Sequence, residues 1–245
     1  MKKKKIIISG GGTGGHVFPA IEIAKSIKII RPSVEILFVG ASNKMEMHQV
    51  PKQGFPILGL WIQGFYRHSI LKNILLPIKL LVSLAQSIAI LMYHQPFAVI
   101  GTGGFASGPV LFTASLLGFK TYIQEQNFFP GLTSKLLSKK VNKIFVSYDG
   151  MQRFFPKDKI IKLGNPVRQS LKTKFSTKSK LFFGLQRHKF TLLVIGGSLG
   201  AEPINKAFKK HLKILTQNDI QIIWQTGKND YKKYSQLNSD FCSVN

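Results

Sequence analysis

Glycines, one histidine and a few isolated polar residues carry the chemistry this sequence can perform. Three glycine clusters each follow a short apolar run: Ser9-Gly10-Gly11-Gly12-Thr13-Gly14-Gly15-His16, Gly101-Thr102-Gly103-Gly104-Phe105-Ala106-Ser107-Gly108, and Gly196-Gly197-Ser198-Leu199-Gly200-Ala201. A strand that ends in glycines and opens a helix binds anions. Bare backbone N–H groups approach a phosphate there, and the helix N-terminus adds positive dipole. Three such loops point to more than one phosphorylated ligand. His16 directly follows the first cluster, at the mouth of the expected helix. A neutral imidazole beside an anion-sized hole can take a proton from an attacking hydroxyl. That position favours a catalytic role for His16 over a structural one.

Glu125, in Gln124-Glu125-Gln126-Asn127, is the only acid between Glu46 and Asp149. It reads equally as a loop carboxylate paired with a lysine or as part of the reacting site. Asn127 both donates and accepts, which suits a sugar hydroxyl or an N-acetyl group. Arg168, in Asn165-Pro166-Val167-Arg168, stands where one domain is expected to pass into the next, in reach of a phosphate or a base. No acidic cluster offers itself to a divalent metal, and the other five histidines lack metal-ligand spacing. Charge on a leaving diphosphate would be met by N–H groups, a helix dipole and Arg or Lys. Neither a metal nor a cofactor is expected.

Two common nucleotide motifs are weak here. Gly10, Gly12 and Gly15 satisfy G-x-G-x-x-G, but the next strand ends in Val39-Gly40-Ala41-Ser42, without the acid that holds a dinucleotide ribose. The P-loop pattern G-x-x-x-x-G-K-[ST] is absent.

The elements that must position these residues alternate. Strand-like runs occur at Ile6–Ser9, Glu35–Val39, Ala98–Ile100, Thr121–Ile123, Lys143–Ser147 and Leu192–Ile195. Helical patterns lie between them at Pro19–Ile30, Ile70–Tyr93, Pro109–Leu117 and Gly131–Ser138. This is the pattern of an α/β protein with a parallel sheet, whose ligands gather at the carboxyl ends of the strands. A break near Gly164-Asn165-Pro166 divides a first Rossmann-like domain, residues 1–165, from a second, residues 166–245. The second offers two strand candidates, Leu192–Ile195 and Ile220–Trp224, and reads as incomplete. Ile70–Tyr93 is strongly apolar but interrupted by Lys72 and Lys79. Its uncharged stretch, Leu80–Tyr93, falls short of the roughly 20 residues a spanning helix needs. It reads as a core helix or as an interfacial one with its lysines toward headgroups.

The chain has 245 residues, 35 Lys and Arg against 10 Asp and Glu, and a formal net charge of +25. Such an excess suggests nucleic acid, but no nucleic-acid motif is present and the lysines are scattered. Lys206, Lys209, Lys210 and Lys213 follow helical spacing and read as a wet face. Compositional drift or attraction to an anionic surface accounts for the charge. A single cysteine, Cys242, excludes an internal disulfide and suits a reducing compartment. Lys2–Lys5 precede too short an apolar run for a signal peptide.

Taken together, Gly10–Pro19, Met45–Pro51, Gly101–Pro109, Gln124–Ser138, Gly164–Arg168 and Gly196–Ala201 resemble the peptidoglycan N-acetylglucosaminyltransferases of the GT-B fold, the MurG family. The stretches are in order and cover nearly the whole chain. The resemblance implies two Rossmann-like domains and inverting transfer of GlcNAc from UDP-GlcNAc to the MurNAc 4-hydroxyl of a polyprenyl-diphosphate-linked precursor. Thr13, Gly14, Gly15, Asn127, Arg168 and Ser198 match its donor-binding positions. Gly103 and Gly104 belong to a loop facing the acceptor diphosphate. His16 matches the general base, and Glu125 a motif position in the reacting site. The resemblance also implies a peripheral protein on the cytoplasmic face of the cell membrane, with an anionic lipid surface as partner; lacking a binding motif, the chain is not expected to take nucleic acid. Members of the family continue beyond the position of Asn245. A truncated chain with weakened donor affinity and an exposed sheet edge is therefore expected, with a non-catalytic protein that holds the lipid-linked precursor as the alternative.

Overall fold

A computed structural model describes residues 4–65, 71–168, 177–197, 200–237 and 242–244. The chain divides into two compact units, Met1–Leu171 and Lys172–Asn245.

In the first unit seven strands form one parallel sheet: β1 (Lys5–Ser9), β2 (Glu35–Ala41), β3 (Ile57–Leu60), β4 (Ala98–Gly101), β5 (Lys120–Glu125), β6 (Lys143–Val146) and β7 (Ile160–Lys162). Their order is β3-β2-β1-β4-β5-β6-β7. Between them run α1 (Gly14–Ile30), the short α2 (Glu46–Gln49), α3 (Leu76–His94), α4 (Ser107–Leu116) and α5 (Leu132–Leu137). Successive strand residues point to opposite faces, and the two faces have separate cores. Ile8, Ile36 and Phe38 pack with Val17, Ala20, Ile21 and Ala24 of α1. Ile7, Leu37, Val39 and Val99 pack with Leu91 of α3, Val110, Leu111 and Ala114 of α4, and Leu137 of α5.

The order reverses between β1 and its neighbour β4. Ile6 pairs with Ala98 and Ser9 with Gly101. A parallel sheet opens a crevice beyond its carboxyl edge at such a point, because the two loops leave toward opposite faces. The first two glycine clusters are those two loops.

The second unit holds α6 (Thr177–Phe182), β8 (Thr191–Ile195), α7 (Glu202–Gln217), β9 (Gln221–Gln225), α8 (Tyr231–Ser235) and β10 (Cys242–Val244). Its parallel sheet has the order β10-β9-β8. A small core gathers Leu212, Ile222, Trp224 and Tyr234. Trp224 donates its indole N–H to Asn205 Oδ1 at 3.1 Å. Lys206, Lys209, Lys210 and Lys213 all face solvent on α7, as their spacing predicts.

Three differences from the sequence reading stand out. The sheet gains β3 and β7, its two edge strands, which are too short for periodicity to reveal. Helix α1 starts at Gly14 rather than Pro19, so the helix takes in the last glycines of the cluster. Helix α3 is not a core helix. It buries Ser83, Ser87 and Leu91 while Ile78, Leu81, Ile88, Met92 and Tyr93 stand exposed, Leu81 at 68% and Tyr93 at 83%. Its 19 residues are long and apolar enough to cross a membrane by length and composition, and 17% of that stretch is buried. Both ends of α3 nevertheless lead into strands of the same sheet, β3 and β4, so it lies along the fold.

Candidate functional site

The two loops at the reversal point meet through backbone, which is why they are glycine. A Cβ on Gly10 would overlap Thr102 Oγ1, and one on Gly104 would overlap the Gly11 carbonyl oxygen. Gly12, Gly103 and Gly104 have φ of +86°, +97° and +80°, a region that side chains other than glycine enter at a cost. Thr102, fully buried, joins the loops. Its N–H donates to the Ser9 carbonyl at 2.9 Å and its hydroxyl to the His16 carbonyl at 2.8 Å.

His16 sits in the cleft so formed. A Cβ on Gly103 would lie 2.7 Å from His16 Cδ2 and 3.0 Å from Nε2, so only glycine lets the ring lie there. Thr13 Oγ1 is 3.1 Å from His16 Nδ1. Burial lowers the His16 pKa from its ordinary value, while the negative charges of Glu125 and Glu46 oppose that shift. The imidazole is therefore neutral at neutral pH, the form that can accept a proton. The N–H groups of His16 and Val17 both bond to the Thr13 carbonyl at 3.1 Å. Those of Gly14 and Gly15 are left at the open end of α1, where helix donors lack internal acceptors. Neither α1 nor α4 has an acid in its first turn, so the positive end of each helix dipole is not offset there by a side chain of its own.

Glu125 ends β5 and is 3% exposed. Its Oε1 accepts from the Asn127 backbone N–H and from Asn127 Nδ2, each at 3.1 Å, and its Oε2 from the Gly131 N–H at 3.4 Å. The carboxylate thus folds its own loop and orients Asn127. Asn165 ties that loop to β6, accepting from Ser147 Oγ and donating to the Gln126 carbonyl at 3.3 Å.

Arg168 lies along α1. Its guanidinium stacks 4.8 Å over the Phe18 ring and lines a cavity of about 410 Å³ with Glu22, Lys25, Ser26 and Phe55. Ser198 lies outside the described residues.

Residues 6–146 match the model of the glycosyltransferase family 28 N-terminal domain, and residues 191–245 that of the family's C-terminal domain. The chain belongs to glycosyltransferase family 28.

Among curated family 28 relatives, a protein of Flavobacterium psychrophilum is 52% identical over 240 residues, and one of Parabacteroides distasonis 48% identical over 238. Each is named UDP-N-acetylglucosamine--N-acetylmuramyl-(pentapeptide) pyrophosphoryl-undecaprenol N-acetylglucosamine transferase. The alignments cover 96% of this chain and 65% of each relative. The chain thus spans about two thirds of their length. In fold it is similar to the crystal structure of Acinetobacter baumannii MurG, with TM-score 0.73 and 24% identity over 98% of this chain and 67% of that one. It is also similar to a UDP-GlcNAc 2-epimerase from Methanocaldococcus jannaschii, with TM-score 0.63 and 15% identity over 98% and 72%.

Several residues of this family 28 site escaped the sequence reading. Thr102 was visible only as a letter within a glycine cluster. Phe105 fills the space that Gly12 and Gly64 leave, since a Cβ on them would come to 2.8 and 3.0 Å from its ring. Gln126 Nε2 donates to the Thr102 carbonyl at 2.8 Å, linking the second glycine loop to the Glu125 loop. Glu46, in a matching stretch but with no role assigned to it, is fully buried beneath the first loop. No motif signals these contacts, because each depends on strands far apart in sequence.

Proposed function

We propose that this chain carries the acceptor-side and part of the donor-side machinery of an inverting N-acetylglucosaminyltransferase. The reaction moves GlcNAc from UDP-GlcNAc to the 4-hydroxyl of a MurNAc unit on a polyprenyl-diphosphate carrier. The observation that carries this reading is a neutral, half-buried His16 held between two glycine loops that present free backbone donors. The names of the family 28 relatives support the substrate assignment.

In this reading His16 Nδ1 keeps its hydrogen and donates it to Thr13 Oγ1, which leaves the lone pair on Nε2. As the acceptor oxygen attacks the anomeric carbon, Nε2 takes the hydroxyl proton. The bond from that carbon to the UDP oxygen breaks, and attack from the opposite side inverts the centre. Charge on phosphate is met by backbone N–H groups, those of Gly14 and Gly15 at the helix end and those of the Gly103–Gly104 loop. Glu125 acts through position and charge: it fixes Asn127 for a sugar polar group and favours the imidazolium as it forms. Arg168 and Ser198 are assigned to the donor.

The exposed apolar face of α3 supports a peripheral seat on the cytoplasmic membrane surface. Leucine and isoleucine would enter the acyl boundary, and the chain's excess of lysine would face anionic headgroups.

UDP release by the purified chain, given UDP-GlcNAc and a short-chain acceptor analogue, tests the proposal. Turnover that disappears in His16→Ala, with acceptor binding retained, is the expected result. Undiminished turnover in His16→Ala would remove the histidine from the chemistry.

A further inference from the structure

Glu46 is a fully buried acid at the start of α2 that the chemistry above does not use. Among the described residues it forms no ion pair; the acids that do are Glu35, Glu22, Asp149, Asp219 and Glu202. A carboxylate taken out of water without a cation costs several kcal/mol unless hydrogen bonds replace the water. Here two backbone donors replace it. Oε2 accepts from the Gly12 N–H at 3.0 Å and Oε1 from the Ala41 N–H at 3.0 Å. One donor belongs to the first glycine loop and the other to the end of β2. The chain makes room for the carboxylate by omitting two side chains. A Cβ on Gly11 would overlap Glu46 Oε1, and one on Gly40 would lie 2.5 Å from Glu46 Cγ.

We infer that Glu46 is a positioning residue, a clamp that fixes the first glycine loop to the end of β2 and thereby sets the placement of Thr13 and His16. Gly12 is the residue before Thr13. Its φ of +86° is held by the hydrogen bond that the carboxylate accepts. With Gly12 fixed, the Thr13 hydroxyl meets His16 Nδ1, and the Gly14 and Gly15 N–H groups point outward. The clamp also consumes the Gly12 N–H, which separates the loop's donors into one that holds structure and two that remain free for a ligand. Its charge adds to that of Glu125, the other acid acting on His16, in favouring the imidazolium.

The inference rests on the reading of His16 as the reacting base, but its test needs no turnover. Glu46→Gln keeps the shape and removes the charge. One of its two head atoms becomes an NH2, so Gly12 or Ala41 loses its acceptor. Glu46→Asp keeps the charge and shortens the reach. In the full chain, amide exchange at Gly12 and Ala41 and the imidazole titration of His16 are followed by NMR. Wild type is expected to protect both amides. Glu46→Gln is expected to speed exchange at one of them by about tenfold or more, the loss of a hydrogen bond to a charged group, and to move the His16 midpoint downward. Glu46→Asp is expected to release Gly12 as well.

A folded Glu46→Gln with wild-type exchange and an unmoved His16 midpoint overturns the inference. So does failure of both variants to fold, which would make Glu46 a core-stability group and nothing more. An active His16→Ala enzyme would defeat the base reading instead, leaving these exchange and titration results to stand or fall on their own.

Discussion

The cleft at the β1–β4 reversal and the outer face of α3 are built on opposite principles. In the cleft, backbone touches backbone. The residues are glycine, and a methyl group added at Gly10 or Gly104 has nowhere to go. On α3 the side chains are large and apolar, and many of them face outward: Leu81, Ile88, Met92 and Tyr93 stand exposed while Ser83 and Ser87 are buried. Hydrophobicity thus marks the two cores but does not by itself separate them from the outer face of α3. The smallest residues are the most constrained, and some of the greasiest are free to serve another surface.

Substitutions can break or sharpen that contrast. The largest effect is expected at Gly104→Ala. An L-residue at positive φ costs roughly 1–3 kcal/mol before the overlap with the Gly11 carbonyl, so urea unfolding should show a loss of at least about 2 kcal/mol together with loss of UDP release. Next comes Thr102→Val, in which the fully buried Thr102 no longer donates to the part-buried His16 carbonyl at 2.8 Å; the same assay should show a loss of about 1–3 kcal/mol.

A smaller, pH-dependent effect belongs to His16. Its folded pKa is lowered by burial, so below the ordinary value of 6.5 the unfolded chain binds a proton that the folded one resists. Stability should fall as pH drops through that value until the folded imidazole also titrates. Unfolding curves at about pH 7.5 and about pH 5.5 should show this component in wild type and lose it in His16→Gln.

The smallest effect on stability is expected at Leu81→Ser, within about 0.5 kcal/mol. The same change should weaken binding to vesicles of anionic lipid by about tenfold, the worth of one buried leucine. A Leu81→Ser chain that loses several kcal/mol would erase the contrast, because that side chain would then belong to the core.

The same contrast explains what the sequence could disclose. The central strands were legible because Ile6–Ser9 and Glu35–Val39 are continuous apolar runs of strand length. The glycine clusters were legible because anion sites need bare backbone. The edge strands β3 and β7 were not, since Ile57-Leu58-Gly59-Leu60 and Ile160-Ile161-Lys162 are strands only because a neighbour offers hydrogen bonds. Within the site, His16 stood out by position. Thr102, Gln126 and Glu46 did not, because their partners lie 86, 24 and 34 residues away. Helix α3 misled for a plain reason: composition shows that a helix is apolar but not which way its apolar side turns.

The pairing of β1 with β4 also sets a clock. Ile6 meets Ala98, so β1 waits during synthesis for a partner made more than ninety residues later. At about 5–20 residues per second that delay is roughly 5–20 s. During it the first glycine loop has no second loop to close against, and the leucines of α3 emerge before the sheet is complete. Whatever shelters the nascent chain in that interval, a chaperone or a lipid surface, meets α3 before the cleft exists.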